Sequence, residues 1–269
     1  MRSHEAPLSL MDEVGKYNDY SYALVHHFEK HEEYFDFFKR ELLNNREVIL
    51  DNSIFELKEA FDSDKYAEWI EKLQPNYYIV PDVLEEGYET MVSFTDWMKN
   101  RKDVPGMKIG TIQGQTIEEI IDCYKYMSYY ADYVAISFDM SYYLPTGEGK
   151  TIGERRCHGR QNLVRYLIDR GHWNWNKPHH LLGCSLAREF SWYKNNNVYN
   201  IRSVDTSNPV IAGILDMKYN GTLGLNSEVH LADHLSEDDA EDLFSKPDLD
   251  AGDLELVHYN LDQFGKILN

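Results

Sequence analysis

The sequence predicts a (β/α)8 barrel of the TIM type, folded as a single domain. Three observations predict it. Short apolar runs recur, each followed by a turn and then a segment with helical spacing, the pattern of repeated βα units and a parallel sheet. Polar residues crowd immediately after those runs. The length of 269 residues matches the ~250 that such a barrel needs.

The candidate strands are, in order, Tyr22–Phe28, Glu47–Leu50, Tyr77–Val80, Lys108–Ile112, Tyr133–Ser137, His180–Leu182 and Ile201–Val204, with an eighth weakly defined after Val210. Two covering helices stand out between them. His31–Asn44 puts Tyr34, Phe35, Phe38 and Leu42 on one face, and Thr116–Tyr130 does the same with Ile117, Ile120, Ile121, Tyr124 and Met127. An insertion around Met140–Arg155 follows the fifth predicted strand. An open doubly wound sheet is the alternative. It is disfavoured because no G-x-G-x-x-G or G-x-x-x-x-G-K-[ST] supplies an anion cradle. No Pro-, Gly- or Ser-rich linker divides the chain, so residues 1–269 read as one domain, with a barrel core of about 22–226 and an acidic segment at 227–269.

A composition of 42% hydrophobic and 27% charged residues excludes a disordered, fibrous or membrane chain. With 46 acids against 27 bases the formal charge is −19, so nucleic acid cannot be held by bulk charge and any phosphate-binding surface must be local. Cys123, Cys157 and Cys184 are too few and too scattered for a disulfide framework or a four-thiolate zinc site, which suits a reducing cytosol. The first twenty residues lack the apolar core of a signal peptide, and no stretch approaches the ~18 apolar residues of a membrane span. A cytoplasmic protein is expected.

In a parallel barrel, the residues just after each strand converge on one mouth, where ligands bind. Here those residues are Asp51-Asn52-Ser53-Ile54-Phe55-Glu56, Pro81-Asp82, Gln113-Gly114-Gln115, Gly183-Cys184-Ser185 and Asp205-Thr206-Ser207-Asn208-Pro209. An Asp or Asn in such a place also serves as a helix cap or turn residue. Three carboxylates and a carboxamide at one mouth exceed what capping alone calls for.

The order of these pieces resembles the tRNA-guanine transglycosylase superfamily, and within it the shorter DpdA-like branch that exchanges guanine in DNA for a 7-deazaguanine. The family's D-S-G-G-F-Q is matched by Asp51 to Glu56, which keeps the Asp and the aromatic but loses both glycines. Its base-reading Asp corresponds to Asp82 and its Q-G to Gln113-Gly114. G-G-L-A-x-G-E resembles Gly183 to Glu189, and I-D-x-F-D-x-x-x-P resembles Ser203 to Pro209, which makes Asp205 the implied nucleophile. The H-N-L of the family's last helix is echoed in His258-Tyr259-Asn260-Leu261. The C-x-C-x-x-C cluster of the tRNA branch is absent, so no zinc subdomain, metal or cofactor is expected. His258 with the acidic stretch Ser236–Glu255 reads as a solvated charged surface and not as a replacement metal site.

Base exchange breaks a C1′–N9 bond through an oxocarbenium-like state that a carboxylate traps covalently, the role of Asp205. A second carboxylate must protonate the departing base and deprotonate the incoming one, the role given to Asp51. The donor edge of guanine calls for a buried carboxylate, and its O6 calls for donors. Asp82, Gln113 and the Gly183–Ser185 backbone supply these, with Phe55 as a stacking ring. The expected partners are DNA, single-stranded or with a flipped guanine, and a base such as 7-cyano-7-deazaguanine.

The polymer would lie along Lys150–Lys177, a window of +5 in a remainder of −24, with Trp173 and Trp175 interleaved. Arg155, Arg156 and Arg160 are the expected contacts. The same window also reads as an amphipathic helix with Leu163, Val164, Leu167 and Ile168 inward and its arginines outward. Two rival functions remain open: a barrel enzyme acting on a free nucleoside or small glycoside, and a catalytically inactive nucleic-acid-binding barrel. The sequence leaves the oligomeric state open.

Overall fold

The structure is a computed structural model that describes residues 1–59, 61–184, 186–225, 249 and 251–268. Eight parallel strands form one nearly closed barrel: β1 (Arg2–His4), β2 (Ser21–Leu24), β3 (Val48–Asp51), β4 (Tyr77–Ile79), β5 (Met107–Ile112), β6 (Tyr133–Ile136), β7 (His179–Leu181) and β8 (Ile201–Thr206). From β2 to β8 each strand pairs with the next in sequence, and β1 pairs with β8, with Ser3 opposite Asp205. At the remaining seam the Tyr22 backbone N–H donates to Ser3 Oγ at 3.0 Å.

Two expectations change. The eighth strand is the first in the chain and does not follow Val210, where Asn208–Ile214 is helical. The barrel therefore starts well before residue 22, and every predicted strand moves up one place. Arg2-Ser3-His4 has no apolar signature; its pairing with β8 and the burial of Ser3 and His4 make it a strand. The run predicted over Tyr22–Phe28 stops at Leu24, and Val25–Glu29 forms a 3-10 turn.

The covering helices are α1 (Glu32–Leu43), α2 (Ser63–Leu73), α3 (Gly87–Asn100), α4 (Ile117–Tyr130), α5 (Ile152–Asp169), α6 (Glu189–Asn195), α7 (Asn208–Ile214) and α8 (Ala251–Leu268). Their starts follow from caps. Asp62 accepts the Asp64 and Lys65 N–H groups, Thr116 accepts that of Glu119, and Thr151 with Glu154 closes a reciprocal capping box. On α1 the buried face is Tyr34, Phe37, Phe38 and Glu41, so the stripe is rotated from the expected one and Phe35 lies only partly covered. The region expected as an insertion, now after β6, holds a one-turn helix, Tyr143–Thr146, against α5. The close approach needs Gly159, where a Cβ would stand 2.4 Å from that of Tyr143.

One apolar cluster fills the space between strands and helices, and a smaller one fills the barrel interior with Tyr20, Tyr22, Leu24, Ile49, Ile79, Ile109, Tyr133 and Ala135. The acidic segment expected at 227–269 lies mostly outside the described residues. Its described end, α8, packs on α7 and α6 through Val257, Leu261 and Phe264. No helix among the described residues is long and apolar enough to cross a membrane.

Candidate active site

A cavity of about 260 Å³ opens at the C-terminal end of the barrel, the end that carries the chemistry in this architecture. Asp51, Asp82, Gln113, Gly183 and Asp205 all line it, brought together from five different strand ends. Phe55 lines it too, half exposed at the rim, with Lys58 Nζ 4.6 Å above its ring. Gly114 does not: it turns away with φ +149°, and a Cβ there would meet Ile120 of α4 at 2.9 Å. Its work is to let the chain leave β5. Ser185 lies outside the described residues.

Asp82 is the most tightly specified carboxylate. Asn52 Nδ2 donates to Oδ1 and Gln113 Nε2 donates to Oδ2, each at 2.8 Å. Asn52 Oδ1 in turn accepts the Ile54 N–H, and Gln113 Oε1 accepts the Glu85 N–H, so neither amide is free to turn. Burial raises the Asp82 carboxyl above the ordinary carboxylate range, opposed by these two donors. Asn52 Nδ2 also donates to the Val80 carbonyl at 3.4 Å, so the second N–H of Gln113 is the one left for a ligand oxygen.

Asp51 ends β3 and accepts from the Tyr22 hydroxyl and from the Ser53 backbone N–H, the latter at 2.5 Å. Ser53 makes this bond with φ +60°, a left-handed conformation that costs a non-glycine residue on the order of 1 kcal/mol. Burial, and then the neighbouring Glu56, push the Asp51 carboxyl well above its usual range; Tyr22 and Ser53 oppose the shift and Asp205 adds to it. Glu5, the residue after β1, is raised in the same way by burial and then by Asp205, Glu56 and Asp51. Glu56 lines the mouth although much of the residue is exposed, and burial of its carboxyl, with Asp205 adding, brings it to about 7.

Asp205, nearly buried on β8, accepts the Gly183 N–H at 3.2 and 3.3 Å to its two oxygens. Gly183 presents that N–H with φ +64°, which glycine adopts without strain. His180 Nε2 lies 2.9 Å from Asp205 Oδ1, a close contact that sits off the hydrogen-bond line.

The sequence reading missed Glu5, Glu56 and Phe138. Glu5 follows a strand with no apolar pattern. Glu56 was in plain view inside the Asp51 motif. Ser137-Phe138-Asp139 follows β6 and had the same strand-end signal as the other five motifs. Among the described residues none that lines the cavity is Lys, Arg or His, so these offer acceptors and apolar walls to a ligand rich in donors.

The three arginines separate. Arg155 is exposed and donates to the Gly149 carbonyl. Arg156 is half-buried and paired with Asp139. Arg160 is a correction: it is fully buried, bidentate to Glu189 at 2.8 and 2.9 Å, and it donates to the carbonyls of Leu182 and Gly183. A guanidinium with no exposed face cannot meet a phosphate. Arg160 instead holds the end of β7 where the cavity needs it. Trp173, in the same window, is buried and stacked on His179.

His258 donates to or accepts from the Tyr17 hydroxyl at 2.7 Å and lies 3.4 Å from Glu13, far along the chain from the cavity residues. Asn260 is buried, bonded to Tyr219, Pro209 and Met217. Among the described residues no three His, Cys, Asp or Glu side chains are grouped to hold a metal ion.

The acid cluster has a direct consequence for stability. A carboxyl raised above its unfolded value binds its proton more tightly in the folded state, so its contribution is full at pH values below the unfolded pKa and is lost as pH rises toward the folded one. For Glu56 that window runs from 4.5 to about 7. Glu56→Gln is therefore expected to match the parent protein's melting temperature near pH 4 and exceed it above pH 7. It should also lower the pH at which Asp51 titrates, because a like charge has gone. Thermal melts at the two pH values, with carbon NMR of labelled aspartate, check both; equal melts above pH 7 would sink the idea. No family model and no curated protein matches this sequence.

Proposed function

We propose that this protein is a glycosyl-transferring enzyme that exchanges guanine in a polynucleotide, DNA in the first instance, for a 7-deazaguanine such as 7-cyano-7-deazaguanine. The observation that carries the reading is the division of labour among three carboxylates on one cavity. The Asp51 carboxyl is raised well above the ordinary carboxylate range by burial and then by Glu56, Asp205 accepts the Gly183 N–H across its two oxygens, and Asp82 is clamped flat by Asn52 and Gln113. A two-carboxylate glycosyl transfer needs the first pair, one as acid and base and one as nucleophile. The donor edge of guanine needs the third. Asp205 attacks C1′ as the C1′–N9 bond breaks, and Asp51 protonates the base that leaves. The incoming base gives its proton back to Asp51 and displaces Asp205.

The resemblance to the guanine transglycosylases gains support from the loop after β3. Where that family has its first glycine this chain has Ser53, in a conformation glycine adopts freely. A cavity of about 260 Å³ is near the lower end for small-molecule sites and suits a base more than a whole nucleotide.

One observation favours a second reading, action on a free nucleoside. Of the three arginines expected to contact phosphate, Arg160 is buried and Arg156 is paired, which leaves Arg155. The test is exchange of labelled guanine into DNA, tRNA and free deoxyguanosine in parallel. Label in DNA alone supports the proposal. Label in deoxyguanosine but in neither polymer replaces it with the second reading, and label in none sinks both.

A further inference from the structure

We infer that His180 is a positioning residue for Asp205, an inference that rests on the reading of Asp205 as nucleophile. His180 is fully buried in the floor of the barrel, beneath the cavity. The ladder between β7 and β8 shifts register between His179 and His180, and such irregularities re-aim side chains beside active sites. His179 turns outward, onto Trp173 and Tyr124, and His180 turns inward. There its ring stacks on Tyr22 at 5.6 Å, with Tyr20 and Tyr133 edge-on at 6.4 and 6.2 Å.

Both ring nitrogens have work. Nδ1 is 2.9 Å from Ser203 Oγ, which also bonds the Tyr133 hydroxyl, and Nε2 is 2.9 Å from Asp205 Oδ1. A carboxylate only accepts, so Nε2 carries the proton. Nδ1 is then the acceptor, Ser203 donates to it, and Tyr133 donates to Ser203. Tyr133–Ser203–His180 thus fits one tautomer, with its N–H on the side of the nucleophile, a use of histidine that recurs wherever a partner sets the ring's proton. The contact is close but unaligned, and catalytic hydrogen bonds of this kind commonly align only with substrate bound.

Oδ1 faces His180, which assigns Oδ2 to C1′. In the first half-reaction the Oδ2–C1′ bond forms as C1′–N9 breaks, the electron pair passing to N9 and the proton coming from Asp51. In the second, N9 of the incoming base displaces Asp205, and the carboxylate charge returning to Oδ1 is met by the Nε2–H. Loss of one such donor from a dry site costs about 10²-fold in kcat.

The experiment compares His180→Leu, His180→Gln and Ser203→Ala by steady-state exchange of labelled guanine, with thermal melts. His180→Leu should lower kcat by about 10²-fold with KM for guanine within about twofold, and His180→Gln, which can still donate, should recover at least about tenfold of it. Ser203→Ala keeps the ring but removes its anchor, and should lower kcat with KM unchanged even where His180→Leu fails to fold. Nitrogen NMR of labelled histidine reads the contact without any turnover: the His180 Nε2–H signal should move in Asp205→Asn. Full activity of a folded His180→Leu or of Ser203→Ala, or a signal indifferent to Asp205, overturns the role while leaving the transglycosylase reading intact. A parent protein that labels neither DNA nor tRNA, with the NMR contact present, marks the failure of that reading instead and removes the role with it.

Discussion

Asp205→Asn is expected to abolish base exchange, with kcat falling by at least ~10⁴-fold while the fold survives. An amide fills the same volume and can still meet the Gly183 N–H through its oxygen, so the geometry of β8 is kept. What it lacks is the negative charge that, on the proposed reading, traps an oxocarbenium-like carbon, and removal of a nucleophile from a unit of interdependent groups costs nearly the whole rate enhancement. The melting temperature should hold or rise, because the charge of Asp205 is among the causes that raise Glu5, Asp51 and Glu56. The measurement is exchange of labelled guanine beside a thermal melt. A variant that keeps more than about a tenth of the parent rate removes Asp205 from the nucleophile's role. Loss of the fold together with activity would show a structural role instead.

The second large effect concerns stability. Arg160→Met should destabilise the protein by about 3–5 kcal/mol, the usual result of leaving one partner of a buried ion pair alone. Glu189, fully buried, would keep only Tyr193 as a donor, and the carbonyls of Leu182 and Gly183 would each lose a bond. For a chain of this size the melting temperature should fall by roughly 10 °C. The double variant Arg160→Met, Glu189→Leu should recover part of the loss, because the stranded charge is then gone. Denaturant unfolding of the two variants measures it. A loss below about 1 kcal/mol would mean that the pair is not what holds β7 and α5 together. The effect also separates Arg160 from Arg155. Only the removal of an exposed arginine that meets a phosphate lowers the salt dependence of nucleic-acid binding, by a slope of about 1.

Much of the site was legible because a parallel barrel leaves little choice about where strand ends go. Asp51, Asp82, Gln113, Gly183 and Asp205 each follow a run that could be recognised by its apolar residues, and all five line the cavity. Gly114 shared that signal and failed. Two residues past a strand the chain is already turning into its helix, and which of the pair faces inward is set by the turn. Arg160 failed for a related reason. On α5 it lies on the same face as Cys157, Val164 and Leu167, so a helical projection puts it inward; its charge alone argued for the surface. A buried guanidinium is tolerated only where a partner such as Glu189 waits, and that partner is 29 residues away in sequence.

The sequence by itself determined the architecture and the carboxylate set, because apolar periodicity and strand-end polarity are local properties of the chain. Tertiary structure alone decided three matters. Arg2–His4 became a strand because β8 needed a partner, not because of its own residues. Glu5 joined the acids at the mouth because that pairing set it beside Asp205. The Asp51 carboxyl is raised because the protein wall, Glu56 and Asp205 surround it, and a carboxyl's proton affinity is fixed by what lies within a few ångströms in space, whatever its distance along the chain.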